Sequence, residues 1–282
     1  MHWIDLGDTA LRYALRAGTG TGTPLVLVHE LGGSLNSWDR LLECLDTPRP
    51  VLRYDMRGSG MSEKLRDVPF IEDLVDDLLR LLDALGLTEP VTLVGHALGC
   101  AVALLLAARH PERVADIVAM SPVTEVAAVR RLSLLAIADQ VERSGLRAMV
   151  DGALAVSYPA DLASDVQLYQ QFRCRWMNND PMSFAWMYRM LADLDIRAEL
   201  AQVRCPVAIL AGTRDALRPP QLSQDVAAQI AGATLLEIDA CHFMHVQAAP
   251  AVAVALTSFL DAVGVDPVSI TSTSQGDPHA VI

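Results

Sequence analysis

The sequence predicts an α/β fold: a mostly parallel central sheet flanked by helices, with a helical segment inserted between the strands near 113–120 and 207–211. Three observations carry that prediction. Short apolar runs alternate with longer stretches of helical period. The runs are continuous rather than alternating, which is the pattern of strands covered on both faces. The rhythm stops once, between residues 124 and 199, and then resumes.

Each element follows from its own stretch. Residues 2–6 and 10–16 alternate enough to form a two-stranded start, with Gly7 and Asp8 as the turn. Pro24 to His29 is short, continuous and rich in branched side chains, as a buried parallel strand requires. A loop from Glu30 to Ser34 leads to a helix near 35–45, and Val51 to Tyr54 is the next strand. Residues 70–85 carry apolar side chains at helical spacing and stop at Gly86. Val91 to Val94 is a further strand, running through Gly95-His96-Ala97-Leu98-Gly99 into an apolar helix that ends at Arg109. Arg113 to Met120 is again a strand. Residues 124–199 show only helical stretches, rich in Met, Trp and Tyr. The alternation returns with a strand at Val207–Ala211, a helix near 220–230, a strand at Thr234–Ile238 and a helix at 248–263. Residues 1–120 and 200–264 therefore read as one core, 121–199 as a helical cap over it, and 265–282, Ser/Thr/Pro/Gly-rich and without apolar period, as a flexible tail.

Composition narrows the function classes. The 22 basic and 34 acidic side chains give a net charge of -12, which repels phosphate backbones and argues against a nucleic-acid surface. No stretch reaches the roughly 18 apolar residues of a membrane span, and the N-terminus lacks the pattern of a secretory signal. The five cysteines form no CxxC pair, which suits a reducing, cytoplasmic setting. There is no HExxH and no GxGxxG opening a βαβ unit, so neither a metal nor a cofactor is expected. The expected partner is a small-molecule substrate. Whether the chain forms a homodimer is open.

The chemistry concentrates at four places. Gly95-x-x-x-Gly99 sits where a buried strand turns sharply into a helix, the context of a nucleophile elbow. His29-Glu30-Leu31-Gly32-Gly33 follows an earlier strand. Tyr54 to Ser62 reads as a D-x-R-G-x-G-x-S turn, in which Asp55 and Arg57 are expected to pair with each other. Asp215 closes the strand Val207–Ala211, and His242 follows the last strand. The order elbow, Asp, His is that of the α/β-hydrolase triad. Over about residues 2–264 the sequence resembles the α/β-hydrolase superfamily. Within it, GHALG resembles the alanine-elbow branch typified by aminoacrylate hydrolase, as do Tyr158-Pro159-Ala160-Asp161 and Arg204-Cys205-Pro206-Val207. Glu30 and the RYDMRGSG turn look more like enol-lactonase and esterase relatives.

The resemblance implies roles. His242 is the general base, oriented by Asp215. The backbone N–H groups of Leu31 and Leu98 form the oxyanion hole. Glu30, His96, Trp176, Trp186, Arg173 and Arg189 are candidates for contact with substrate, an inward-facing arginine clamping a carboxylate. The elbow position itself is Ala97, and a methyl group cannot attack anything. Two readings stay open: an enzyme that works by His-Asp-activated water on an enamine, carbamate or ester, or a Ser-His-Asp esterase or enol-lactonase whose serine has been replaced. A lyase or hydratase on the same scaffold and a ligand-binding sensor are the further alternatives.

Overall fold

The computed structural model describes residues 1–20, 22–160 and 165–264; the expected tail at 265–282 lies outside them. Among the described residues, eight strands form one sheet: β1 (His2–Asp5), β2 (Ala10–Arg16), β3 (Leu25–Val28), β4 (Val51–Tyr54), β5 (Val91–His96), β6 (Val114–Met120), β7 (Val207–Gly212) and β8 (Thr234–Ile238). Their order across the sheet is β1-β2-β4-β3-β5-β6-β7-β8. β2 alone runs opposite to the other seven strands, pairing antiparallel with β1 and β4; every pairing from β4 to β8 is parallel. The continuous apolar runs explain the centre. All residues of β3, β5 and β7 are buried, as helices on both faces demand.

Helices α1 (Asp39–Cys44), α2 (Ile71–Ala84) and α3 (Leu98–Arg109) follow β3, β4 and β5. On one face of the sheet Leu74, Leu78 and Leu81 of α2 pack with α3, whose side chains from Leu98 to Ala108 are all buried. That all-round apolar character is why α3 lies inside the molecule. Between β6 and β7 run α4 (Ala128–Ser144), α5 (Val150–Ser157), α6 (Val166–Met177), α7 (Pro181–Ala192) and α8 (Arg197–Leu200), and α9 (Pro220–Ala227) follows β7. After β8 come a short α10 (Met244–Gln247), which the sequence pattern did not announce, and α11 (Ala249–Gly264), where the helix at 248–263 is expected. Pro250 has no N–H to donate and sits in the first turn of α11, where none is needed. On the other face, Trp38 and Leu41 pack with Val252, Leu256 and Leu260 of α11.

The helices after β6 have a core of their own. Val141, Phe172, Trp176 and Phe184 meet Phe243 and Val246, which come from the chain after β8. The helical segment therefore packs directly on the stretch that carries His242. No described helix is long and apolar enough to cross a membrane.

Candidate active site

Ala97 joins β5 to α3 with φ 47° and ψ −108°, a conformation that an L-residue adopts at a cost of roughly 1–3 kcal/mol. Two glycines make that turn possible. A Cβ on Gly95 would meet the Gly99 carbonyl at 2.8 Å, and one on Gly99 would overlap the carbonyl oxygens of Val28 and His29. The start of α3 thus abuts the end of β3, setting Leu98 beside the loop that carries Leu31. Leu98 is the first residue of α3, so its N–H has no acceptor within the helix.

Asp215 and His242 meet at the ends of β7 and β8. His242 Nδ1 donates to Asp215 Oδ2 at 2.8 Å, which leaves Nε2 as the nitrogen with a free lone pair. Ser121 Oγ donates to the same oxygen at 2.8 Å, while Asp215 Oδ1 accepts the backbone N–H groups of Leu217 and Arg218, both at 2.9 Å. Burial alone would raise the Asp215 pKa. The contact with His242 and the other donors reverse this and hold the carboxyl below its ordinary value. His242 is 7% exposed. Burial lowers its pKa more than Asp215 raises it, so the ring is neutral at pH 7 and able to take a proton. Ser121 escaped the sequence reading. Its only signal is its place at the end of β6, where it takes φ 45°.

A second group of polar side chains lies behind the elbow. His29 Nδ1 donates to the Glu30 carbonyl at 2.7 Å and its Nε2 accepts the Met56 N–H at 3.0 Å, so this ring braces two loops. Glu30 is buried, its Oε1 accepting from Ser37 Oγ at 2.8 Å. His96 Nε2 donates to the His242 carbonyl at 2.9 Å, tying the elbow to the histidine loop. Its Nδ1 faces Glu30 Oε2 at 3.5 Å, and His245 Nε2 lies 3.7 Å from the same oxygen. Burial pushes the His245 pKa down to about 3, leaving a neutral ring.

The remaining candidates divide. Trp176 and Glu30 line a cavity of about 190 Å³, together with Arg12, Asn36, Arg175 and Asn179. Trp186 is half-buried and outside that lining. Arg173 is engaged by Asp151 at 2.6 Å, and Arg189 by Asp139 at 2.7 Å and Glu142 at 2.9 Å. Those carboxylates hold both guanidinium groups among the helices after β6, outside the cavity lining; the arginines that line it are Arg12 and Arg175, the latter reaching Asp39 Oδ2 at 3.3 Å. The expected Asp55–Arg57 pair does not form either. Asp55 takes Arg12 at 3.2 Å and the N–H groups of Leu35 and Met61, both at 2.7 Å, while Arg57 pairs with Asp77 at 2.5 Å. The sheet order explains this exchange, because it sets β2 beside β4 and brings Arg12 to Asp55.

Fold and site together define an α/β-hydrolase scaffold with its acid–histidine pair in place and alanine at the elbow. The chain belongs to the α/β-hydrolase family: a family model described as "alpha/beta hydrolase fold" matches residues 23–145. It is similar to a protein of Caulobacter sp. (strain K31) named "Putative carbamate hydrolase RutD", 32% identical over 221 residues that cover 75% of this chain and 80% of that one. A protein of the same name from Azorhizobium caulinodans is 29% identical over 249 residues, covering 85% and 90%. Among solved structures, the enol-lactonase from Burkholderia xenovorans LB400 superposes with a TM-score of 0.85 at 26% identity, covering 92% of this chain and all 100% of that one.

Proposed function

We propose that this hydrolase acts on a small, activated substrate of the carbamate, enamine or ester type by water attack, with His242 as general base and Asp215 orienting it. One observation carries the reading: a complete Asp215–His242 pair, braced by Ser121, stands beside an elbow whose residue 97 has no nucleophilic atom. Neutral His242 has the lone pair to take a proton from water, and such assistance is worth about 10²–10⁴-fold. The N–H groups of Leu31 and Leu98 would receive the developing oxyanion, one such donor being worth about 2.7–4 kcal/mol. Together these terms suit an activated bond and fall short of an ordinary amide. The names of the carbamate-hydrolase relatives support the substrate class. The helices between β6 and β7 serve as the cap, holding the His242 loop through Phe243 and Val246.

A specific observation also favours the esterase reading. Ala97 keeps the strained turn that a nucleophile requires, although alanine has no use for it. Turnover of a panel of activated esters, aryl carbamates and enol-lactones by the parent and by Ala97→Ser separates the two. Parent turnover with no large gain on Ala97→Ser supports water attack. An inactive parent, with a gain of about 10⁶-fold in kcat on Ala97→Ser, sinks it.

A further inference from the structure

The buried groups behind the elbow are more than the hydrolytic reaction requires. Glu30, His96 and His245 come from three separate segments: the loop after β3, the end of β5, and α10. Glu30 is 2% exposed and both histidines 0%. Glu30 Oε2, His96 Nδ1 and both ring nitrogens of His245 are buried without a hydrogen-bond partner. Leaving a buried polar atom unsatisfied costs about 1–3 kcal/mol, so several converging on one point call for a common partner.

We propose that Glu30 Oε2, His96 Nδ1 and His245 Nε2 form a binding site for one divalent cation of the zinc type. Two imidazoles and one carboxylate are donors suited to Zn²⁺ or Co²⁺ rather than to Mg²⁺ or Ca²⁺. Tetrahedral zinc sets its ligand atoms about 3.3–3.5 Å apart. Here two of the separations are 3.5 Å and 3.7 Å, and all three atoms lie within 4.8 Å of one another. Closure therefore needs side-chain shifts of at most about 1.5 Å between the two rings.

Two of the three groups, Glu30 and His96, have the outer partners of a ligand set. Ser37 fixes the other oxygen of Glu30, and the His242 carbonyl takes the other ring N–H of His96, as outer partners of metal ligands do. Gly33 leaves room for the carboxylate, since a Cβ there would meet Glu30 Oε1 at 2.5 Å. The 190 Å³ cavity is lined by Glu30, Gly33 and Ser37 and so borders the carboxylate side of the cluster. A cation at this point ties together the segments carrying Leu31, Ala97 and His242. Its role is to hold the catalytic parts in register; it takes no part in bond cleavage.

The test uses the untagged full chain, stripped with a chelator and titrated with Co²⁺ and with Zn²⁺. Equimolar uptake, a visible Co²⁺ spectrum of a low-symmetry four-coordinate site, and a rise in Tm reversed by chelator support the site. Glu30→Gln and His245→Gln should each weaken Co²⁺ binding by more than about 100-fold, the upper limit for loss of an outer partner. His242→Gln should leave uptake intact. If either ligand variant fails to fold by circular dichroism, the reversible Tm shift of the parent still decides. No equimolar uptake by the parent overturns the proposal, a bridging water or shared proton then satisfying Glu30. So does uptake that survives both ligand substitutions, or that His242→Gln abolishes while His245→Gln does not. The readout is metal, so its failure leaves the water-attack reading untouched.

Discussion

Replacing Asp215 by asparagine tests the acid–histidine pair most directly, because the surrounding donors dictate how the amide must sit. Asp215 Oδ1 accepts two backbone N–H groups, from Leu217 and Arg218. An NH2 group there would face two donors, so the amide oxygen must take that side. The NH2 then points at His242 Nδ1, which must turn from donor to acceptor. Its proton moves to Nε2, and the nitrogen that should take a proton from water no longer can. In a serine protease the same change costs about 10⁴-fold in kcat, or about 5.4 kcal/mol, and a loss of 10²–10⁴-fold is expected here. A second signature is independent of the first. In the parent, burial holds His242 below the ordinary histidine value of about 6.5 while Asp215 pulls it back up. The proposed base would work in its neutral form, so kcat/KM should fall as pH drops through a limb below about 6.5. Without the Asp215 charge, that limb should move to still lower pH. The assay is kcat/KM from pH 4.5 to 8.5 on the best substrate of the ester, carbamate and lactone panel. A variant within about threefold of the parent, or a limb that moves up, refutes the assigned roles of both residues.

Four shorter expectations accompany it. Arg175→Ala should raise KM for carboxylate-bearing substrates, while Arg173→Ala and Arg189→Ala, whose side chains are held by Asp151 and by Asp139 and Glu142, should leave it unchanged; steady-state kinetics on charged and neutral analogues checks this. Phe243→Ala should cost about 3–5 kcal/mol in denaturant unfolding, because it empties the contact between the helices after β6 and the histidine loop. Gly99→Ala should abolish soluble expression or lower Tm sharply, since its Cβ would overlap the backbone of β3. The depressed pKa of His242 means that the folded state binds fewer protons than the unfolded one below about pH 6.5. Stability should therefore fall with pH there, by up to about 1.4 kcal/mol per unit from this group, a slope that His242→Gln removes in urea melts.

Most of the fold was legible because the central strands β3, β5 and β7 are buried along their whole length and the outer ones still carry short apolar runs. Val51–Tyr54 and Thr234–Ile238 fall where the apolar runs place them, and the glycine stop at Gly86 closes α2 within two residues. The discrepancies come from backbone rules that act over one or two positions. A short α10 precedes the expected helix, with Pro250 in the first turn of α11, and the helix expected at 35–45 opens as a 3-10 turn over Leu35–Trp38 before α1. The capping box of Ser34 and Ser37 builds that opening. It also aims Ser37 at Glu30, a consequence that no periodicity in the sequence conveys.

The site was legible only where the chain order itself carries the chemistry. Asp215 and His242 could be named because each follows a strand, and parallel strands deliver their C-terminal ends to one edge of the sheet. Arg173 and Arg189 could not be placed, because helical spacing sets which residues share a face but not which carboxylate waits there. Glu30 shows the limit most clearly. As a lone acid in a glycine-rich loop it looks equally like a water holder or a surface group. Only the parallel register of β3 with β5, which pairs Val28 with Gly95, brings it level with His96. The packing of Trp38 against His245, with ring centroids 5.0 Å apart, then completes the cluster. A buried carboxylate facing two imidazoles is thus a property of the sheet's strand order, and the sequence conceals it because its parts lie in three distant segments.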